Sequence, residues 1–493
     1  MAEIPTVDTV MVVGGLGTKA DSATLNGGGA TKAAWDAGSP TDFIDTNGGP
    51  IATATDAAVG VSGAETTFTL AGAFAGVTDG TLCYVNFDAT AETAGYTDGW
   101  TYIISHTDDT IVTETLEFGA EGTGTVTVGG AVPTLQEALD HDVNDATSYN
   151  RYILTRGETI TSTVDVDTNS AGQAYRLTIQ GMNATFTATE AAEIDTETYL
   201  VNGLVRIANA IINTKWVDIN FNGGGKDSTR AVNCVSFVTG TSEPHFWVNC
   251  EFFGASADGF ANMAEYSHLS NCNFYLNGAS GYYAEFTPHS TTMIGCTSHD
   301  NDTYGFHFWS GNNVKCIKCI AYDNGKDESV GHGFFAKGTA NWSAFVECTA
   351  YGNYGDGFAI ETLALLCQVE NCTSVGNGGY GFNLNAGKQY NIQYFGYNHA
   401  SGNTGNGSTT THYNGGVDST FADFKDGNNI AGTQAASAIF TNVTDGSEDF
   451  TPVTGSDLID NGLDAMSAGM QDIGAIQAAS GGGGRPEIRG SNL

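Results

Sequence analysis

Carboxylates recur between residues 300 and 356 among glycine and asparagine: Asp300, Asp302, Asp323, Asp327, Glu328 and Asp356, with Lys326 and Lys337 as the nearby cations. Asp300, Asp302 and Asp356 are the residues such a stretch would use for acid–base work. Glycosidic hydrolysis needs two carboxyl groups roughly 5 to 9 Å apart, one to give a proton and one to receive it or to attack. Asp323, Asp327 and Glu328 suggest a different use, because oxygen ligands on stacked turns suit a hard cation such as calcium. The plainer reading of all six is a solvated acidic edge. Exposed aromatics accompany them: Tyr283, Trp309, Tyr322, Tyr351 and Tyr354 would stack on a sugar ring or pack against a neighbouring subunit. Beyond that calcium ion, no cofactor is expected.

These residues need something to hold them, and the chain repeats a phrase that does so. With Cys250, Cys272, Cys296, Cys319, Cys348 and Cys372 as origin, the intervals are 22, 24, 23, 29 and 24 residues. Three residues before each stands an apolar side chain: Trp247, Leu269, Met293, Cys316, Phe345 or Val369. Five residues after the last five stands asparagine: Asn277, Asn301, Asn324, Asn353 and Asn377. Nine residues after the cysteine comes glycine followed by an aromatic, except after Cys319, where Gly333-Phe334 follows fourteen residues on and GKDESVGH must bulge out as a loop. Cys316 and Cys319 make only half of a paired metal-binding spacing, so a metal role for the cysteines is disfavoured and Cys316 reads as the apolar member of its repeat.

A unit of this length cannot bury its apolar face alone and must stack on its neighbours. Its apolar runs of three to five residues, broken by glycine, are too short for helices. The expected fold is all-β: a right-handed parallel β-helix with about three short strands per coil, a coil rise of roughly 4.8 Å and identical positions directly above one another. In that solenoid the cysteines and aromatics are inward ladders. The asparagines form a structural ladder that passes amide hydrogen bonds from coil to coil. TKWVDINFNGG at 214–224 resembles HFWVNCEFFGA at 245–255 and extends the repeat upstream, and Asn403 extends the asparagine ladder downstream.

The rest of the chain is arranged around this solenoid. Residues 1–50 are an extended N-terminal arm, and 51–130, with TTFTL, TLCYVNF, WTYIIS and GTVTV, are a small antiparallel β domain. Residues 131–430 are the β-helix, opened by a short helix in PTLQEALDHDV with Thr134 and Glu137 as its capping box, placed to plug the first coil. Residues 431–480 close it. Residues 481–493 are a Gly-rich tail whose Arg485 and Arg489 are expected to contact another subunit or protein of an assembly.

With 66 glycines and only 8 prolines, composition favours many short strands over helix bundles. The balance of 17 basic against 55 acidic residues, a formal charge of -38, repels phosphates and anionic lipid, so neither nucleic acid nor a membrane surface is an expected partner. The first residues lack the basic start and apolar core of a secretion signal, and no apolar run approaches the roughly 18 residues of a bilayer span. The expectation is a chain made in the cytoplasm, without membrane insertion.

The helix, NRYILTRGETITST, YRLTIQG and the Asn/Cys/Gly-Phe coils together resemble the right-handed β-helix superfamily typified by pectate lyases and phage tailspikes, over about residues 130–478. FTNVTDGSEDFTP, LIDNG at 458–462 and DIGAIQ at 472–477 are similar to the closing segment of its bacterial and phage members. The resemblance implies a fold shared by sugar-cleaving enzymes, adhesins and virion proteins. Within it, Gly331-His332-Gly333 resembles a polygalacturonase motif, which would make His332 catalytic. The motif's companions are missing: Asn301-Asp302-Thr303 has another order, and no arginine lies between Arg230 and Arg485. Pectate-lyase chemistry would ask for a carboxylate cluster around calcium and a base, for which Lys326 and Lys337 are the nearby cations. The expected function is a non-enzymatic virion surface protein, a capsid decoration or tailspike-like fibre. It would be a homo-oligomer, a trimer by analogy with tailspikes, held to other virion proteins by its terminal arms and able to bind a cell-surface polysaccharide. The alternative is a polysaccharide lyase or glycoside hydrolase on the same fold.

Overall fold

A computed structural model of the chain describes residues 9–12, most of 50–129, 134–142, most of 150–404 and short segments between 413 and 471. It divides into two compact units, one of residues 1–224 and 228–251, the other of 225–227 and 252–493.

In the first unit, six antiparallel strands close into a barrel in the order Pro50–Ser62, Glu65–Thr69, Thr110–Glu114, Gly99–Thr107, Leu82–Ala89, Gly122–Gly129. Val59, Phe68, Phe74, Val85, Ile103, Ile111 and Val126 fill it. Closure removes the exposed strand edges that a small open sheet of Thr/Val strands would present. The helix Leu135–Asp142 buries Leu135, Ala138 and Leu139 and packs against the strands Asn150–Thr155 and Val164–Asp167. Its first amide, Leu135 N–H, donates to the Glu158 carboxylate at 2.8 Å, so part of the capping comes from a strand rather than from the helix's own sequence. Burial raises the Glu158 carboxyl above its ordinary range, and that hydrogen bond offsets only part of the rise.

The remaining strands of this unit pair in parallel, among them Asn150–Thr155, Arg176–Gly181, Asn213–Val217 and Pro244–Val248. Trp216 pairs with Trp247 and their rings stack at 5.3 Å, as the likeness of 214–224 to 245–255 implies. Thr9–Val12, expected only as part of an arm, pairs in parallel with Arg151–Leu154 and adds a strand to this sheet. Such a strand lies far from its partner in sequence, so no local pattern announces it.

In the second unit each coil runs through three strands, for example Thr292–Ile294, Thr297–His299 and Phe306–Phe308, which pair in parallel with Lys315–Ile317, Ile320–Tyr322 and Phe334–Ala336 of the next. These define a first, third and second sheet in that order. The bend from the first to the third sheet is made by one residue in the left-handed region, immediately before the cysteine position: Asn271, Gly295, Lys318, Glu347 and Asn371. Cys272, Cys296, Cys319, Cys348 and Cys372 are buried with free thiols, and Cys250 is buried likewise in the first unit. Thiols donate to carbonyls of the preceding coil, Cys348 to Cys316 O at 3.3 Å and Cys372 to Phe345 O at 3.3 Å. Asn398 takes the next position in this column, and its Oδ1 accepts from Cys372 N–H at 2.9 Å. Cys316 sits at the apolar strand position between Met293 and Phe345.

The asparagines form a continuous ladder. The Nδ2 groups of Asn277, Asn301, Asn324, Asn353 and Asn377 each donate to Oδ1 of the next, at 2.8–2.9 Å, ending on Asn403. The glycine of the Gly-aromatic pair belongs to the same device: a Cβ on Gly305 would stand 3.0 Å from Asn324 Nδ2 and 2.6 Å from the Gly333 carbonyl oxygen. Behind it, Phe306, Phe334, Phe358 and Phe382 stack with centroids 4.7–5.1 Å apart. Gly325 and Gly331 press backbone on backbone; residues 327–330 between them lie outside the described residues. The C-terminal segment forms a short helix, Ala436–Ile439, and a hairpin of Phe440–Asn442 with Asp449–Pro452. DIGAIQ and the tail with Arg485 and Arg489 lie outside the described residues.

Candidate functional site

Where each coil leaves the third sheet, a second left-handed position recurs immediately before the asparagine ladder. Going up the stack its occupants are Gly254, Leu276, Asp300, Asp323, Gly352, Gly376 and Gly402. Five coils use glycine or precede the carboxylates with leucine; Asp300 and Asp323, at φ 51 and 53, put carboxylates at adjacent places on this edge. Gly352 makes room above them, since a Cβ there would lie 2.7 Å from Asp323 Oδ1.

Lys326 Nζ bridges the two, 3.4 Å from Asp300 Oδ1 and 3.6 Å from Asp323 Oδ2, so those oxygens are no more than about 7 Å apart. Asp302 is held by Lys226 at 2.6 Å. Lys226, Leu276, Asp300, Asn301, Asp302, Asp323 and Lys326 line a pocket of about 110 Å³. Burial pushes the Asp300 carboxyl up, but the His299 hydrogen bond at 2.9 Å and the charges of His299 and Lys326 together outweigh it and hold the group below the ordinary carboxylate range. Asp300 is therefore an anion tuned against service as a general acid.

His332 and Asp356 are not in this pocket. They belong to a turn column beside the second sheet, in three coils of which a side chain accepts a backbone N–H of the next. Asp258 Oδ1 accepts from Ser280 N–H at 2.9 Å, His332 Nδ1 from Asp356 N–H at 2.8 Å, and Asp356 Oδ1 from Tyr380 N–H at 2.6 Å. Asp356 Oδ2 accepts from Asn383 Nδ2 at 2.8 Å, and the residue is only 5% exposed. Both side chains have the work of joining coils.

The aromatic candidates separate as well. Tyr322 and Tyr351 lie against the chain's own C-terminal hairpin, with Phe450 5.2 and 5.4 Å from them and Phe440 6.1 Å from Tyr351, rather than in an open groove. Ile320, Val375 and Leu458 complete that cluster. Tyr283 packs on His307 at 4.9 Å. Trp309 and Tyr354 are 44% and 50% exposed, and Lys337 Nζ lies 5.0 Å over the Trp309 ring. Asp327 and Glu328, the other members of the calcium set, lie outside the described residues. Among the described residues no three His, Cys, Asp or Glu side chains are placed to share a metal ion.

Lys226 is the pocket residue that local reading missed, being 76 positions from its partner Asp302. The available signal was the alignment of 214–224 with 245–255, which carries the same turn edge down to GGGK.

Residues 233–395 match the family described as the right handed beta helix region. The repeat is a right-handed parallel β-helix. No curated protein matches the chain in sequence. Among solved structures, the β-helix chain is similar to the pectate lyase Pel9A (14% identity, 71% of this chain and 92% of that one, TM-score 0.45). It is similar to the A-module of the mannuronan C-5 epimerase AlgE4 of Azotobacter vinelandii (14%, 58% and 87%, 0.38). It is also similar to the enzymatically active domain of tailspike protein 2 of bacteriophage CBA120 (10%, 67% and 51%, 0.38), of which it spans about half. At these identities and scores the likenesses say nothing of activity. No helix among the described residues is long and apolar enough to cross a membrane.

Proposed function

We propose that this β-helix is a non-enzymatic surface structural protein of a virion, a capsid decoration or tailspike-like fibre, that contacts cell-surface glycan. The observation that carries the reading is the employment of the candidate acid–base residues. His332 and Asp356 accept backbone N–H groups of neighbouring coils, Asp302 is bound to Lys226, and Asp300 is an ion-paired carboxylate. A proton donor or base needs a free lone pair or proton facing the substrate. Of the aromatic candidates, Trp309 and Tyr354 face solvent and would meet a sugar ring. The homotrimer and the attachment through the terminal arms are part of the same proposal.

A polysaccharide lyase or hydrolase is the second reading, favoured by one observation: three carboxylates and two lysines share a single pocket. Incubating the purified chain with acidic and neutral polysaccharides separates the two. The structural reading expects retention of the glycan without new chain ends. Depolymerisation that Asp302→Asn abolishes, with the fold retained, would overturn it.

A further inference from the structure

Of the three side chains that accept a backbone N–H in the turn column beside the second sheet, one is unlike the other two. Asp258 and Asp356 accept N–H groups with carboxylates, whereas His332 does so with an imidazole nitrogen, which can accept only while it carries no proton. Asp356 Oδ2 stands 3.4 Å from the same Nδ1 atom. An alternative partner for the protonated ring is thus already in place, beside the bond that protonation would break.

The surroundings on every side are aromatic or charged. His332 stacks on Tyr304 at 5.6 Å and tilts against Phe335 at 4.9 Å. His307 stacks on Phe335 at 5.1 Å and tilts against Tyr304 at 4.6 Å, and its Nε2 is buried without a hydrogen-bond partner. Lys337 Nζ lies 5.6 Å over Phe335 and 3.7 Å from Glu361. The titratable groups facing His332 are therefore Tyr304, His307, Asp356, Lys337 and Glu361.

We propose that His332 is a proton-operated switch between two coils: neutral, its Nδ1 accepts the Asp356 N–H and ties the coils together; protonated, the same atom donates to the Asp356 carboxylate, and the outer face of the second sheet from Phe306 to Ile360 loosens. Atoms balance: one proton arrives from solvent on Nδ1, the Asp356 N–H loses its acceptor, and Asn383 Nδ2 must share Asp356 Oδ2 with the new donor. Burial lowers the His332 pKa and Lys337 lowers it further, while Asp356 and Glu361 raise it, so the neutral, tied state is the resting one. His307, pushed down by burial to about 3, stays neutral through the transition and keeps the ring wall apolar. The inward Phe and Asn ladders hold the coils in register, so the change is confined to this face.

Hydrogen exchange followed by mass spectrometry on the full chain, at a series of pH values from neutral down to about pH 5, corrected for the intrinsic pH dependence of exchange, tests this. In the wild type, peptides covering 352–361 and 380–384 should lose protection about tenfold on acidification while those covering 292–301 do not. His332→Asn keeps an acceptor of the length that Asp258 and Asp356 use in the same column and has no proton to gain, so its protection should not respond. Equal responses in wild type and variant overturn the proposal, as does a wild type that does not respond. Should His332→Asn fail to fold, Asp356→Asn carries the test. It retains an oxygen for Tyr380 N–H but lacks the charge that receives the protonated ring, so the midpoint of the wild-type response must move to lower pH. An unmoved midpoint sinks the switch.

Discussion

Replacing Asn324 by alanine should be among the more damaging single changes available in the β-helix. Asn324 is fully buried. Its Oδ1 accepts from Asn301 Nδ2 at 2.9 Å and from Asn301 N–H at 3.3 Å, and its Nδ2 donates to Ser298 O at 3.0 Å and Asn353 Oδ1 at 2.9 Å. Alanine takes the acceptor from Asn301 N–H, which cannot reach water, while Asn301 Nδ2 keeps Phe274 O and Ser298 Oγ, both at 3.1 Å, and it also removes the bonds that Asn324 Nδ2 donates. An orphaned buried donor costs about 1–3 kcal/mol, so the expected loss is about 2–4 kcal/mol once the small cavity is included. Asn277, at the lower end of the ladder, accepts one backbone amide, from Ala255 N–H at 3.1 Å, but has a side-chain ladder link on one side only, where Asn324 has two, so Asn277→Ala should cost less. Guanidinium unfolding followed by far-ultraviolet circular dichroism measures both, comparing midpoints at unchanged slope. A loss under about 1 kcal/mol for Asn324→Ala, or one no larger than that of Asn277→Ala, would mean that satisfaction of buried amides is not what holds the coils.

Three further outcomes follow from the same geometry. Cys296→Asp places a carboxylate with no opposite charge in a fully buried column and should cost several kcal/mol, read as a lowered melting temperature; a wild-type melt would show that the column is wet. Gly305→Ala should be similarly harmful, and Asn324→Ala in the same chain should not rescue it, because the clash with the Gly333 carbonyl remains after the amide is gone. Burial lowers His245 to about 4 from its ordinary 6.5, so the unfolded chain binds the extra proton first. The stability it contributes is complete above pH 6.5 and falls as pH drops towards 4, by about 3 kcal/mol; His245→Phe should flatten that part of the profile, and a pH dependence equal to that of the wild type would refute the assignment.

The coil was legible in the chain because the solenoid translates sequence period into spatial stacking. Cysteine, asparagine and Gly-aromatic positions at constant offsets must lie above one another if each coil has the same path, and the thiol column, the amide ladder and the ring stack are that statement in three dimensions. The same periodicity predicted that GKDESVGH, of which 327–330 lie outside the described residues, leaves the coil, though not that Gly325 and Gly331 meet backbone to backbone. What tertiary structure alone decided is everything that depends on contacts across coils or between distant segments. Spacing placed Asp300 and Asp302 on one turn and Asp356 on a turn two coils on, but whether a carboxylate faces a pocket or accepts the next coil's amide depends on a few residues of turn path, and Asp356 went one way while Asp300 went the other. Tyr322 and Tyr351 look exposed by their alternation along the strand; the hairpin that covers them arrives from about a hundred residues later. Thr9–Val12 joins a strand more than a hundred residues away, and Lys226 meets Asp302 across 76. Local pattern specifies which face of a strand is apolar; which segment comes to cover it is settled by the free energy of burying surfaces that are remote in the chain.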